Sequence, residues 1–467
     1  MRHPDLLRSL SDSQRKAVLE AAQTLQEAGF HCHLVGGCVR DLLLGRPVKD
    51  LDLTSEATPQ QSRKLFRKTI PTGIEHGTIT VRLYGHSLEL TTYRTEGTYS
   101  DGRRPDEVKF GKSLNVDLSR RDFTVNALAY NPLKEDLVDE HGGLEDLKSR
   151  LIRTIGRPED RFFEDGLRPI RACRFLSTLD FTLEPATERA LSDPEVQRRT
   201  GLVAMERFTD ELRKGMRAAD PVPMLWTLYE SGLLQVFLNR VGQVEKPQIP
   251  GHGIIPLPFQ DELLAAPDNR KQLETTIQSI PDGWDWLVDI RMFLWFRFLF
   301  PELSLEKETA ILRGWKFPNH TLQCFEACHL LFESSPALMG LASETDAADA
   351  TVQGNYESRK LLFRLEKILS GRLEAFLLSW EGFAKLQLIP AGLPEPVIQM
   401  LIQDFRHTPF RIKDLAIGGK ELMDRGIQGK ALGDALQLCL QRVWANPEMN
   451  ELEALLQFVE KEYQSPS

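Results

Sequence analysis

The chain has 467 residues, too many for one ordinary core, so two to four domains are expected. It is 41% hydrophobic and 27% charged with a formal net charge of -9, which excludes a wholesale basic coat for nucleic acid but leaves room for a local basic groove. Six scattered cysteines without CxxC or Cys/His spacing fit reduced thiols. With no apolar leader after Met1-Arg2-His3-Pro4-Asp5 and no apolar run of bilayer length, the expectation is a cytoplasmic protein with no membrane partner.

Ser11 to Gly29 reads as a helix, capped by Ser11 and striped by Val18, Ala21, Ala22 and Leu25. Val35-Gly36-Gly37-Cys38-Val39-Arg40-Asp41 then predicts a strand, a tight glycine turn and a short helix, followed by a strand bearing Asp50 and Asp52. Gly36 and Gly37 let the backbone approach something bulky and charged, and a helix opening after them aims N–H groups at it. Two carboxylates spaced i, i+2 point to one face of a strand, where they repel unless a cation lies between them. A hard divalent ion sharing phosphate oxygens suits them. The stretch therefore suggests a nucleoside triphosphate held by the glycines and Arg40, with Mg²⁺ on Asp50 and Asp52. Taken singly, the pieces also fit a plain turn and a solvated strand edge.

A second helix is expected over Pro59 to Lys68, and a hairpin over Thr78–Leu83 and Ser87–Tyr93 joined near Gly85. Glu89 reads as a solvent-facing strand residue, with a place beside the metal pair as the alternative. Thr95 to Lys112, rich in Gly, Asp, Arg and Pro, reads as a loop able to act as a lid. The stretch from Arg120 through Asp122 and Asn126 to Leu128 reads as a helix carrying paired arginines. A strand at Leu137–Asp139 and a turn into a short helix at Gly143 follow, and the strand-helix mixture ends near Arg153. From Phe162 onward the chain reads as helical. Expected breaks are Pro247 to Pro258, a candidate domain boundary, and Met339 to Asn355. Trp284 to Phe300 reads as a buried aromatic helix, and Cys324 and Cys328 as one buried helix face.

Asp165, Arg168, Arg171 and Arg174 recur at every third residue, which on a helix makes one polar stripe. Such a stripe can be an ordinary helix surface with an i, i+3 ion pair. It can also imitate a base's pairing partner, because a carboxylate only accepts and a guanidinium only donates. Asp165 would accept from the exocyclic amino group of cytosine or adenine, and Arg168 would donate to the ring atom beside it. Uracil and guanine place a carbonyl where that amino group should be. Arg171 and Arg174 would face the triphosphate.

These motifs resemble the class II branch of the polymerase β nucleotidyltransferase superfamily, the tRNA nucleotidyltransferases (CCA-adding enzymes) and bacterial poly(A) polymerases. The resemblance rests on Gly36-Gly37-x-Val39-Arg40-Asp41 with Asp50-x-Asp52, Arg120-Arg121-Asp122-Phe123-Thr124-x-Asn126-Ala127, Asp139 with Gly143-Leu144-x-Asp146-Leu147, Glu164-Asp165-x-x-Arg168, and Glu206-Arg207. The motifs run in family order from residue 34 to about 215, and Ile412 to Leu455 is similar to the family's helical tail. The resemblance implies an α+β chain: a nucleotidyltransferase head with a mainly antiparallel sheet (1–153), then all-helical neck (154–245), body (246–388) and tail (389–467). It implies that Asp50 and Asp52 are catalytic and bind two Mg²⁺ ions, and that Gly36, Gly37, Arg40, Arg121, Arg171 and Arg174 contact the nucleotide. Asp165 and Arg168 would select its base. The implied substrates are CTP and ATP, and the implied partner is the acceptor arm of tRNA, not DNA. No His-Asp dipeptide marks a fused phosphohydrolase domain. The arginine-bearing loop from Tyr99 to Pro105 favours an enzyme able to add A. An A-adding or poly(A)-type polymerase, and a non-catalytic RNA-binding scaffold, are the alternatives.

Overall fold

In this computed structural model the described residues are 2–95, 109–111, 113–242, 271, 275, 286–299, 303–343, 348–385, 395–409 and 411–464. The expected lid and the Pro247 to Pro258 break lie largely or wholly outside them. Two compact units emerge, Met1–Ile254 and Ile255–Ser467.

The first unit begins with α1 (Asp12–Glu27). Ser11 accepts from Gln14 N–H, and the Gln14 side chain accepts in return from the Ser11 backbone, a reciprocal capping box. Ala17, Val18, Ala21, Ala22 and Leu25 are fully buried, so the expected stripe is the packed face. A seven-stranded sheet follows, in the order β3-β4-β5-β2-β1-β8-β9. Its strands are β1 (Cys32–Val35), β2 (Leu51–Ser55), β3 (Thr69–Gly73), β4 (Thr78–Leu83), β5 (His86–Thr92), β8 (Leu128–Asn131) and β9 (Asp136–Asp139). Every adjacent pair is antiparallel except β2 with β5, so the sheet is mainly antiparallel, as expected. The β4–β5 hairpin turns on Tyr84 and Gly85, both at positive φ (49° and 82°), which matches the right-handed strand twist. A two-stranded stem, β6 (Arg94–Thr95) with β7 (Lys109–Phe110), continues from the end of β5.

The short helices of this unit position the site. They are α2 (Gly37–Leu43), α3 (Pro59–Leu65), α4 (Leu114–Ser119), α5 (Gly143–Lys148), α6 (Pro158–Glu164) and α7 (Arg168–Phe175). Between α4 and β8 the chain does not continue as the expected helix. It bends at Arg120 to Phe123 and makes a single 3-10 turn, Thr124–Asn126. The paired arginines reach back to Asp117 of α4, Asp122 accepts from the distant Arg171, and Phe123 turns fully inward. A second correction concerns the end of the strand-helix mixture near Arg153. Leu151–Ile152 (β10) pairs in parallel with a later strand, Thr182–Leu183 (β11). Helices α8 (Pro185–Leu191), α9 (Pro194–Thr200), α10 (Met205–Met216), α11 (Val222–Glu230) and α12 (Leu233–Gly242) complete the unit.

The described part of the second unit is helical. The aromatic helix Leu287–Leu299 buries Trp295 and Phe296, and Cys324 and Cys328 are both fully buried. The expected break from Met339 to Asn355 is narrower among the described residues: one helix runs to Ser343 and the next starts at Ala348, and 344–347 lie outside the described residues. A separate core joins Ile417, Leu422, Ala435, Cys439, Val443, Leu455 and Val459. Among the described residues no helix is long and apolar enough to cross a membrane.

Glycine positions provide a direct check. A Cβ on Gly143 would stand 2.4 Å from the Thr124 carbonyl oxygen, whereas one on Gly433, in a helix interior, would meet nothing within 4 Å. Gly143→Ala should therefore destabilise the first unit by about 1–3 kcal/mol. Gly433→Ala should stabilise the second by about 0.5–1 kcal/mol. Thermal unfolding of each variant against the parent chain measures both signs.

Candidate active site

The site grows from the turn between β1 and α2. Gly36 has φ 76°, a conformation that strains any residue with a Cβ. A Cβ there would lie 2.9 Å from Arg121 Nη1 and 4.0 Å from Asp52 Oδ2. The glycine thus leaves open the space between an arginine and a carboxylate that face each other without a direct ion pair. Asp52 lies on β2 and is partly buried, and Asp50 immediately precedes that strand and is exposed. The parallel register pairs Asp52 with Glu89 of β5. Glu89 is exposed, as expected, and it also stands beside Asp52. Only the parallel β2–β5 pairing, invisible in the local sequence, brings it there.

Burial, then Glu89 and Asp50, push the Asp52 carboxyl up to about 6, against the opposing pull of Arg121. A concentration of negative charge that raises its own proton affinity also attracts a cation. Among the described residues no group of three or more His, Cys, Asp or Glu forms a closed metal site. A carboxylate pair of this kind fits a hard divalent ion that takes its remaining oxygens from a phosphate.

Arg121 stands at the edge of this acidic face. Its Nη2 donates to Asp117 at 3.4 Å, and its buried Nε has no partner among the described residues. Arg40 is 8% exposed. Its Nε donates to Asp41 at 2.9 Å and its Nη1 to Asn126 at 2.6 Å. Asn126 donates in turn to Asp122 at 3.0 Å. The other Asp122 oxygen accepts from Arg171 Nε at 2.8 Å and lies 2.7 Å from Arg171 Nη2. Arg174 Nε donates to Glu211 at 2.5 Å, and Lys214 donates to the same carboxylate at 2.9 Å. Arg40, Arg171 and Arg174 surround the Phe175 ring at 5.3, 5.4 and 4.1 Å, a cation–π arrangement. These arginines are therefore tethered, each to a carboxylate.

The expected stripe of Asp165, Arg168, Arg171 and Arg174 does not form on one helix. Asp165 terminates α6 in extended backbone, and α7 begins only at Arg168. Gly166 makes the intervening turn against the Arg199 carbonyl, 2.6 Å from where a Cβ would sit. Arg168 is buried and turned away from Asp165. Its Nη1 donates to Glu164 at 2.5 Å and to the Arg161 carbonyl at 2.9 Å, and its Nη2 donates to the Arg120 carbonyl at 2.9 Å. The guanidinium on Asp165 belongs instead to Arg207 of α10, with Nη1 and Nη2 at 3.4 and 3.2 Å from its two oxygens. Glu206-Arg207 is visible as a motif, but nothing local assigns Arg207 a partner 42 residues away.

Asp122 yields a pH prediction. Burial alone would raise its pKa, but Arg171, Asn126 and Arg168 hold it well below the usual carboxylate range. A depressed folded-state pKa gives stability that is present above the unfolded value, near 4, and lost as pH falls further. Asp122→Asn should cost about 3 kcal/mol at pH 7, because Arg171 loses its partner. In chemical denaturation, the gap to the parent should be flat above pH 5 and should narrow below about pH 4.

Residues 32–153 match the Poly A polymerase head domain family, and residues 180–241 match the family described as the probable RNA and SrmB-binding site of polymerase A. A CCA-adding enzyme of Lactobacillus gasseri is 49% identical over 198 residues, 42% of this chain; that match spans about half, 49%, of the relative's own length. A CCA-adding enzyme of Lactiplantibacillus plantarum is 33% identical over 439 residues, covering 93% of this chain and 93% of the relative. The crystal structure of Bacillus stearothermophilus CCA-adding enzyme in complex with CTP aligns with a TM-score of 0.64 at 26% identity, over 98% of this chain and 99% of that one. With a relative matched along nearly its whole length and the head motifs in order on a shared fold, this chain belongs to the CCA-adding enzyme family of nucleotidyltransferases.

Proposed function

We propose that this chain is a template-independent nucleotidyltransferase that adds or repairs the 3′-terminal CCA of tRNA using CTP and ATP. The observation that carries this reading is a link within one unit. Helix α2, whose opening Gly36 turn adjoins Asp52, is tied to the neck helix α7 through Arg40, Asn126, Asp122 and Arg171, and the base-edge acceptor Asp165 lies in the turn before that helix. The names of the relatives, including a structure holding CTP and another, from Thermotoga maritima, complexed with tRNA, point the same way.

In this reading the RNA 3′-oxygen attacks the α-phosphorus, a new O–P bond forms, and the α–β anhydride bond breaks with its electron pair leaving on pyrophosphate. Asp50 and Asp52 hold two Mg²⁺ ions, which when bound acidify the 3′-hydroxyl and neutralise charge on the phosphates. Gly36 keeps the approach to Asp52 free of a side chain, and Gly37 leaves room for the Arg40 guanidinium. Arg121 offers the triphosphate its unpartnered Nε. Arg40, Arg171 and Arg174 have five N–H donors each, so each retains some beyond its carboxylate bonds. Asp165, its orientation set by Arg207 and the Leu167 N–H, accepts from the amino group of cytosine or adenine. Arg168 shapes that turn through its bonds to Glu164, Arg161 and Arg120 and keeps two further N–H donors for the base. We assign head, neck, body and tail to 1–153, 154–245, 246–388 and 389–467; the family matches at 32–153 and 180–241 support the first two. The six cysteines, all free and buried, support the cytoplasm as the compartment.

Asp50→Ala or Asp52→Ala should lower kcat for CMP and AMP incorporation by on the order of 10⁴ or more, with an unchanged or raised melting temperature, since a repelling charge is removed. Normal incorporation by either variant would contradict the assignment. Asp165→Ala should raise UTP or GTP misincorporation by roughly tenfold, from the 1–3 kcal/mol carried by a specific side-chain–base contact. CTP and ATP binding should change less. RNAs ending at the discriminator base, at C or at CC, each supplied with CTP, ATP or both, separate CCA addition from A-only or poly(A) synthesis. The absence of any Mg²⁺-dependent incorporation would leave a binding scaffold.

A further inference from the structure

We infer that Asp117 is a positioning residue that holds Arg121, which faces Asp52, and Arg120, whose carbonyl accepts Arg168 below the base-reading turn, in one fixed arrangement. The inference rests on the functional reading above. Asp117 lies near the end of α4 with its side chain fully buried. Its Oδ1 accepts from Arg120 at 2.9 Å (Nε) and 2.7 Å (Nη2) and from the Arg94 backbone N–H at 3.3 Å. Its Oδ2 accepts from Arg121 Nη2 at 3.4 Å. One buried carboxylate therefore anchors both members of the arginine pair.

Each arginine leads to a different half of the site. Arg121 continues to the space over Gly36, where its Nη1 nears Asp52. The Arg120 carbonyl accepts Arg168 Nη2 at 2.9 Å, and Arg168 in turn grips Glu164 next to Asp165. The charge balance explains why a carboxylate is needed here. Asp117 takes Nη2 of the Arg121 guanidinium and leaves Nε without a partner among the described residues. Without that hold, the nearest strong acceptor for Arg121 is Asp52, and a guanidinium seated on Asp52 would take the oxygens proposed for the metal. Asp117 thus competes with Asp52 for Arg121 and keeps the arginine available to the triphosphate. Asp117 is ionised, since Arg120 and Arg121 outweigh its burial.

The test compares Asp117→Asn, Asp117→Glu, Arg121→Lys and the Asp117→Asn/Arg121→Lys double variant in the full chain. Removing a charged hydrogen-bond partner is worth roughly tenfold or somewhat more. Asp117→Asn should raise KM for CTP and weaken CTP binding by calorimetry by about that factor, with a smaller change in kcat and with more UTP incorporation. In the Arg121→Lys background it should add less than about twofold, because the route through Arg121 is already lost. Full multiplication of the two single effects, or an unchanged KM with only a lower melting temperature, would overturn the inference. If Asp117→Asn does not fold, Asp117→Glu carries the test: its carboxylate is displaced by one methylene, and a parental KM for CTP would then overturn it. The functional reading fails separately, if the parent chain incorporates neither CMP nor AMP.

Discussion

A largely buried carboxylate, Asp122, ties the sheet-bearing half of the first unit to its helical half. One of its oxygens accepts from Asn126, which carries Arg40 of α2, and the other accepts from Arg171 of α7. Arg40 is buried and Arg171 partly so, and each guanidinium leans on this carboxylate, directly or through Asn126. Phe123, the next residue, meets Phe175 edge to face at 5.6 Å. Phe175 is in turn the ring around which Arg40, Arg171 and Arg174 gather. The relative placement of Asp52 and Asp165 depends on this one polar seam.

The same principle organises the charges. The acidic face is open, with Asp50 and Glu89 exposed and Asp52 partly so. Each nearby arginine is tethered from behind: Arg40 by Asp41 and Asn126, Arg121 by Asp117, Arg171 by Asp122, and Arg174 by Glu211. Tethered cations cannot collapse onto the carboxylates in front of them, so the site keeps separated charges ready for a ligand that is itself an anion bound with a cation. This is electrostatic preorganisation, in which orientation is settled during folding.

How much of this is readable from residues alone follows from the range of the interactions. Ser11 and its helix, the Gly36-Gly37 turn and the Tyr84-Gly85 hairpin are local, and local patterns reveal them. The pairing of Asp165 with Arg207, and of Asp52 with Glu89, depends on which elements lie side by side, so the sequence marks the residues without joining them. Three-residue spacing from Asp165 to Arg174 suggests a helical stripe, but Gly166 against the Arg199 carbonyl breaks it. At Arg120 to Asn126 local helical preference loses to the tertiary hydrogen bonds that Arg171 donates to Asp122 and Arg40 donates to Asn126.

The most direct test of a site that joins nucleotidyl transfer to base choice without a template is to read what it writes. A tRNA ending at the discriminator base is incubated with all four nucleoside triphosphates at equal concentration and Mg²⁺, and the product 3′ ends are sequenced. The arrangement of Asp50, Asp52 and Asp165 predicts ends that stop at CCA, with U and G rare. Mixed-sequence additions or open-ended A tails would contradict it.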